Sequence, residues 1–427
     1  MRLDDMPVDP QTLDSAIGAR SRSPAATLSP GLLLALITAC LMLQPLSTDL
    51  YLASLPHLAR YFEASPAAVQ QTLSLFVIGF GTAQLVAGPL SDRFGRRPVL
   101  LGGLALYVAA SVACAVAPSI AALSAARFVQ AIGCCTAVVI ARAVIRDVYS
   151  PAEGGRVVAQ ASSWMGLAPL LGPVVGAYLQ VAFGWRAAFV VLASAGLAVA
   201  IATVVKMSET NAYRDPDAMR PGGLVRGYRE ILGAPVFWAY ALPGALSFAS
   251  IFVFISGASY VLINVLDVPT AYFGYAWGLG VTGYLAGAML CRKLLATIGV
   301  DRALSLGTAL GAVAGVLFAA AVALGFHHWA TVVFGHFVIS FAHGINWPCA
   351  QTGAVAPFPR RAGAAAGMLG FIVMMAGLFV GVVVAASHNG TLGPMAMISA
   401  SLGLALLASA RLGRPATGRD GDPGGSV

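Results

Sequence analysis

Two charged residues lie deep inside apolar stretches of this sequence, where a charge is costly and needs an explanation. Asp49 lies about 18 residues into its run, or about 27 Å along a helix. Arg127 lies about 9 Å into a later run of opposite direction, so both fall in the same half of an apolar layer about 30 Å thick. A nearby guanidinium favours an ionised carboxyl, and an apolar surrounding favours a neutral one. We interpret Asp49 as a proton carrier and Arg127 as its partner; a static pair that only positions two helices is the alternative.

The other reactive residues do not form an enzyme site. The sequence contains no nucleophile–base set and no nucleotide loop, and its cysteines lack zinc-type spacing. His336, His343 and Asn346 share one helix face by their spacing, which leaves a secondary proton role for the histidines open. We predict that the protein is not an enzyme and uses no metal or cofactor, only a proton gradient.

The elements that position these residues are apolar runs long enough to cross a membrane. Hydrophobic residues make up 58% of the 427 positions and charged residues only 10%, against roughly 25% charged in soluble domains. Runs of the length of a membrane span, about 17–25 residues, recur about twelve times. We therefore predict an all-α membrane protein with twelve transmembrane helices.

Basic residues lie mostly in short loops that would share one side of the membrane, so the positive-inside rule places both termini in the cytoplasm. The same loops account for the net charge of +8, and we expect lipid and not nucleic acid as the partner. Two weakly similar halves flank the longest polar interval, as is typical of transporters. In chain order we predict a disordered cytoplasmic tail at 1–28, a six-helix bundle at 29–206, a cytoplasmic linker at 207–234, a second six-helix bundle at 235–410 and a cytoplasmic tail at 411–427.

The most specific local pattern is a basic loop between the second and third runs, Gly88-Pro-Leu-Ser-Asp92-Arg93-Phe-Gly95-Arg96-Arg97. We expect Gly88 to permit close helix packing, Gly95 to permit a tight turn, and Asp92 to be paired with a cation. The pattern resembles the signature loop of the major facilitator superfamily. That resemblance implies two six-helix bundles around a central cavity and transport by alternating access.

Further segments extend the resemblance. Residues 127–133 resemble the embedded-arginine motif of the superfamily. Residues 166–177 resemble the antiporter motif of the superfamily. The matching positions are Gly166, Gly172, Pro173 and Gly176, and Ala177 stands where a second glycine is usual. Residues 45–56 are similar to the first helix of the Bcr/CflA drug:proton antiporters, the bicyclomycin and chloramphenicol exporters. This implies a monomer in the bacterial inner membrane that exports small amphipathic drugs against proton influx.

Charged residues at the end of the fourth run lie at the level of Asp92 and Arg93. They are Arg142, Arg146 and Asp147. We predict that these residues and the basic loop form a charge network that latches the outward-facing state. A solvated boundary cluster, in which exposed ion pairs contribute little, is the alternative.

Substrate contacts are predicted by depth and residue type, because pockets for drug-like molecules are apolar with a few polar groups. The candidates are Gln44, Tyr51, Gln71, Gln160, Trp164, Phe254, Tyr260, Asn264, Asn346 and Gln351. Each is also a candidate for helix packing. The predicted function is drug:proton antiport, and a metabolite importer or exchanger on the same fold is the alternative. The compounds, the proton stoichiometry and the resting conformation do not follow from the sequence.

Overall fold

The computed structural model describes residues 29–412 with gaps at 151–152, 155–156, 158–159, 162–163 and 166. Helices dominate these residues, which contain no strand, so the all-α prediction is confirmed. The predicted tail at 1–28, most of the tail at 411–427 and Gly166 of the predicted antiporter motif lie outside the described residues.

The first half of the chain consists of membrane-length helices and short connecting turns. In chain order they are α1 (Pro30–Asp49), a 3₁₀ turn (Leu52–Ser54), α2 (Leu55–Tyr61), α3 (Pro66–Phe94), α4 (Arg96–Ala115), α5 (Ile120–Val148), α6 (Leu167–Phe183) and α7 (Arg186–Lys206).

The second half begins after a short helix in the polar interval. The elements are α8 (Pro221–Leu232), α9 (Pro235–Tyr260), a π-helical turn (Val261–Val265), α10 (Thr270–Thr297), α11 (Gly299–Ala323), α12 (Trp329–Val355), a 3₁₀ turn (Pro359–Arg361), α13 (Ala362–Ser387) and α14 (Gly393–Leu412).

Several helix starts follow from local capping chemistry. Ser29, Ser65 and Ser119 each accept a backbone N–H of the first turn, at 3.4, 3.2 and 3.2 Å. Prolines follow the first two of these serines, where their missing N–H costs nothing. His328 accepts from the backbone at the start of α12 in the same way. These caps fix where the chain re-enters the apolar layer.

The described residues account for the twelve predicted spans. Nine helical stretches among them are long and apolar enough to cross a membrane. The apolar helix α6 is shorter, and α10 and α12 have 28 and 27 residues. Helices suit such a setting because lipid offers no hydrogen bonds to an unpaired backbone.

Equivalent helices make equivalent contacts in the two halves. In the first half α3 packs along α5 and α4 along α7, and in the second half α10 packs along α12 and α11 along α14. The halves meet along two helix pairs, α3 with α13 and α6 with α10. Small residues permit this approach, since a Cβ on Gly274 of α10 would overlap the backbone of Val174 in α6.

The two ends of the bundle differ. We call the end where α3 stops and α4 begins, at residues 93–97, the basic end, and the opposite end the far end. At the far end hydrogen bonds join the halves: the Tyr178 and Tyr275 hydroxyls lie 2.8 Å apart, and His57 Nε2 lies 3.1 Å from Thr270 Oγ1. At the basic end a cavity of about 720 Å³ lies between the halves. We call it the basic-end cavity.

The predicted linker at 207–234 is more than a spacer, because it carries α8 over the basic end. The Tyr228 hydroxyl donates to the Leu85 carbonyl oxygen of α3 at 2.7 Å, and Ile231 is fully buried while Val225 is exposed. Burial raises the pKa of Tyr228, so its hydroxyl stays a donor at physiological pH. α8 forms part of the wall of the basic-end cavity.

Candidate functional site

Asp49 is the last residue of α1 and is buried, with 5% of its surface exposed. Its Oδ1 accepts a hydrogen bond from Thr48 Oγ1 at 3.0 Å. Helix α6 covers it: a Cβ on Gly172 would lie 3.2 Å from the Asp49 Cβ, and one on Gly176 would overlap the Leu50 carbonyl oxygen. The glycines of the predicted antiporter motif therefore bring α6 directly onto the buried carboxylate.

Arg127 lies in the middle of the first half and is completely buried. Its Nη1 donates to Gln130 Oε1 at 2.6 Å, while its Nε and Nη2 have no hydrogen-bond partner. The guanidinium lies over the rings of Phe76 and Tyr51, 4.2 and 4.4 Å from their centroids. A cation is attracted to such aromatic faces, most strongly where water is excluded. The charge is thus held mainly by rings and one amide.

Asp49 and Arg127 are not paired in this structure. Neither takes part in an ion pair among the described residues. The physical reason is the end of α1: the chain leaves the α-helix at Asp49, and Tyr51, two residues later, faces the guanidinium instead. The predicted roles in proton coupling stay a prediction.

The basic loop depends on a carboxylate from the predicted linker. Gly95 joins α3 to α4 with φ of +103°, a left-handed conformation that favours glycine, and a Cβ there would collide with Glu209. Glu209 accepts the backbone N–H groups of Arg96 and Arg97 at 2.8 and 3.3 Å. These are unsatisfied donors at the start of α4, where the helix dipole also favours a negative charge.

Arg96 is the cation that ties the ends of three helices together. Its buried guanidinium donates from Nε to Asp147 Oδ2 at 2.8 Å and from Nη1 to Ser91 Oγ at 2.7 Å. Nη1 also binds Asp92, one helical turn earlier in sequence. Asp92 and Asp147 thus share one cation, while the predicted latch of the outward-facing state stays a prediction.

Arg96 belongs to the predicted basic loop, but other cations predicted for that network do not join it. Arg93 is exposed and lies over the Phe94 ring, 5.2 Å from its centroid, because it follows Asp92 directly and points to another side of α3. Arg142 and Arg146 line the basic-end cavity and join no ion pair in the described part of the chain. The expectation that Gly88 permits close packing is wrong: a Cβ there would meet nothing within 4 Å, because Gly88 also faces this cavity.

The predicted substrate residues do not converge, and none lines the basic-end cavity. Four of these predicted residues are buried in the packing between helices: Tyr51, Phe254, Tyr260 and Asn346. Four others are exposed: Gln71, Gln160, Trp164 and Asn264. Only Gln44 and Gln351 are half-buried. Gln70, the neighbour of Gln71, is buried and faces the other half, with its Nε2 3.6 Å from where a Cβ on Gly381 would lie.

The histidines of α12 are buried in two different settings. His343 Nδ1 lies 3.0 Å from Ser247 Oγ, which also accepts from Asn346 Nδ2 at 3.3 Å. His336 stacks on the Phe254 ring at 4.9 Å between centroids and contacts the Trp277 ring, tilted by 45°, at 4.5 Å. Neither histidine joins an ion pair among the residues described, and their secondary proton role stays a prediction.

The contacts made by the start of the linker, residues 209–211, were not predicted from the sequence. Asn211 Nδ2 donates to the Asp92 carbonyl oxygen at 3.1 Å, and Thr210 Oγ1 donates to Asp147 Oδ2 at 3.3 Å. Glu209 and Asn211 thus contact the basic loop from 113 and 119 positions away, and Thr210 contacts the end of α5 from 63 positions away. The backbone N–H groups at the start of α4 need an acceptor, and the two arginines there supply none. This need was the feature of the sequence that could have indicated a contact with an acidic residue.

The sequence profile of the Major Facilitator Superfamily matches residues 37–382. A bicyclomycin resistance protein homolog of Haemophilus influenzae is 28% identical over 364 residues, covering 83% of this chain and 89% of the relative. Multidrug resistance protein MdtL of Escherichia fergusonii is 28% identical over 341 residues, covering 78% and 83%. The crystal structure of a D-xylose-proton symporter has a TM-score of 0.71 at 16% identity, covering 90% of this chain and 96% of that one, a likeness of fold alone.

Proposed function

The chain belongs to the Major Facilitator Superfamily, and we propose that this transporter exports amphipathic drugs from the bacterial cytoplasm in exchange for protons. The names of the two relatives, one for bicyclomycin resistance and one for multidrug resistance, support the choice of cargo. The buried Asp49 and the helix packed on it support the coupling to protons.

The contact between α6 and Asp49 is the observation that carries the proposal. Gly172 and Gly176 let α6 lie on the end of α1, so a displacement of α6 changes the surroundings of the carboxyl. Helix α6 also packs along α10 of the other half. Because a nearby cation favours the ionised form and an apolar surrounding the neutral one, a movement that takes Asp49 to Arg127 and back would release and bind a proton.

The orientation follows the distribution of charge. We propose that the basic end and both termini face the cytoplasm, where short basic loops are retained. The basic-end cavity then lies on the side from which drug is taken up, while at the far end side-chain hydrogen bonds join the two halves. Alternating access would close the basic end and separate the Tyr178 and Tyr275 hydroxyls.

Gradient-driven uptake into proteoliposomes tests this function. Vesicles with an acidic interior are given chloramphenicol, bicyclomycin or ethidium, and uptake is followed with and without a protonophore. Wild-type protein should concentrate at least one of these compounds only while the gradient lasts, and Asp49→Asn should abolish that accumulation. Asp267→Asn is the matched control, because Asp267 is an exposed loop carboxylate at the far end.

Accumulation by Asp49→Asn at the wild-type level would refute the assignment of the proton carrier. If wild-type protein moved none of the drugs but took up a sugar or another metabolite with protons, the importer reading would replace drug export.

A further inference from the structure

Two arginines face the basic-end cavity without an acidic partner. Arg142 and Arg146 lie one helical turn apart, so their side chains leave the same face of α5. Both are exposed to the cavity, and neither joins an ion pair or side-chain hydrogen bond within the described ranges. Like charges at this spacing destabilise a helix. An anion between them would relieve that repulsion. We call these two residues the α5 arginine pair.

The other charged groups that line the cavity are already engaged. Asp92 binds Arg96, and Arg361 Nη1 binds the Glu230 carboxylate at 2.6 Å. An Asp215 carboxylate oxygen accepts a backbone N–H at 2.8 Å. Among the charged groups that line the cavity, the α5 arginine pair and the single exposed carboxylate of Asp215 are outside the ion pairs of the described residues, and the pair carries the larger charge.

The remaining wall suits an apolar body. Val139, Leu224 and Val355 line the cavity, and Gly363 and Gly367 of α13 leave room beside them. The volume of the basic-end cavity, about 720 Å³, falls within the range of roughly 300–1,000 Å³ for sites that hold drug-sized ligands. The cavity thus combines two guanidinium groups at one side with apolar side chains at the other.

We propose that the basic-end cavity binds amphipathic anions, with a carboxylate, sulfonate or phosphate held by Arg142 and Arg146 and an apolar body against Val139, Leu224 and Val355. Guanidinium groups match the planar or trigonal oxygens of such anions with paired, charge-assisted hydrogen bonds. The proposal names the substrate class of the exporter, so transport of these anions rests on the proposed function, whereas their binding does not.

Binding is measured by calorimetric titration of purified protein with 2-naphthalenesulfonate and with its neutral analogue 2-naphthalenesulfonamide. Wild-type protein should bind the sulfonate about tenfold more tightly or better, as expected for lost hydrogen bonds to a charged group. Arg142→Gln and Arg146→Gln should each remove most of this preference while leaving the sulfonamide affinity unchanged. Retained sulfonamide binding also shows that the variant is folded.

Arg93→Gln is the matched control, because it removes the same charge at the same end of the bundle but outside the cavity. It should leave the sulfonate preference intact. Equal affinity of wild-type protein for both probes, or the same loss in Arg93→Gln as in Arg142→Gln, would overturn the proposal. If Arg142→Gln does not fold, Arg142→Lys and Arg146→Gln decide the matter, because lysine keeps the charge but not the paired geometry.

Transport of the same two probes into proteoliposomes separates this inference from the proposed function. A sulfonate preference in binding without transport of either probe would count against export and leave the anion site standing. Transport of both probes at equal rates with equal affinity would support export and refute the anion site.

Discussion

Replacing Glu209 by glutamine tests whether the start of the linker holds the basic loop in place. One Glu209 oxygen accepts the N–H groups of Arg96, Thr210 and Asn211 at 2.8 to 3.0 Å, and the other accepts that of Arg97 at 3.3 Å. Glutamine keeps one of these oxygens and turns the other into an NH₂ donor that faces a donor. It also removes the negative charge at the start of α4.

The expected cost follows from these two losses. A hydrogen bond contributes about 0.5–1.5 kcal/mol to stability. A charge at a helix N-terminus contributes about 0.3–1 kcal/mol. Glu209→Gln should therefore lower the free energy of unfolding by about 1–2 kcal/mol, which corresponds to about 2–8 °C in the thermal midpoint by the scaling for larger domains.

Glu230→Gln is the control, because Glu230 also binds an arginine but its side chain is 59% exposed. An exposed pair contributes about 0–1 kcal/mol, so the midpoint should move little. Thermal unfolding of both purified variants, with hydrogen exchange of residues 96–99, gives the comparison. Equal shifts in the two variants, or unchanged exchange in Glu209→Gln, would refute the capping role.

Two further matched pairs test the packing and the charge network. Gly176→Ala should lower stability by about 1–3 kcal/mol and reduce transport, because its Cβ would overlap the Leu50 carbonyl oxygen, whereas Gly88→Ala should be neutral in unfolding and uptake assays. Similar midpoints for the two glycine variants would contradict this. Arg96→Gln should lower the thermal midpoint of unfolding more than Arg93→Gln, because it leaves two carboxylates without their cation. A larger effect of Arg93→Gln would contradict the central place of Arg96 in the charge network.

The fold could be predicted from the sequence because its governing features are local. Run lengths alone give the twelve spans, and the Ser65-Pro66 step marks a helix start. The conformation at Gly95 follows from a glycine between two helices. The composition of residues 207–234 predicts a linker. Its packing onto the basic loop is a long-range contact, which local sequence patterns do not indicate.

The site could be predicted only in part, because the spans are apolar on all sides. A helix without a polar face does not show which side packs against its neighbours, so the sequence could not indicate that Gln70 is buried against the other half while Gln71 is exposed. Depth along the helix gave the burial of Asp49 and Arg127 correctly. It could not show that α1 ends at Asp49 and turns Tyr51 towards Arg127, which depends on how the helices pack.

Drug-dependent proton release tests the central claim most directly. Purified protein in weakly buffered solution is mixed with a transported drug, and the protons released are counted with a pH indicator over a range of starting pH. The account predicts that wild-type protein releases protons on binding drug and that Asp49→Asn releases none, while Asp267→Asn behaves as wild type. Release of the same number of protons by Asp49→Asn would contradict the account.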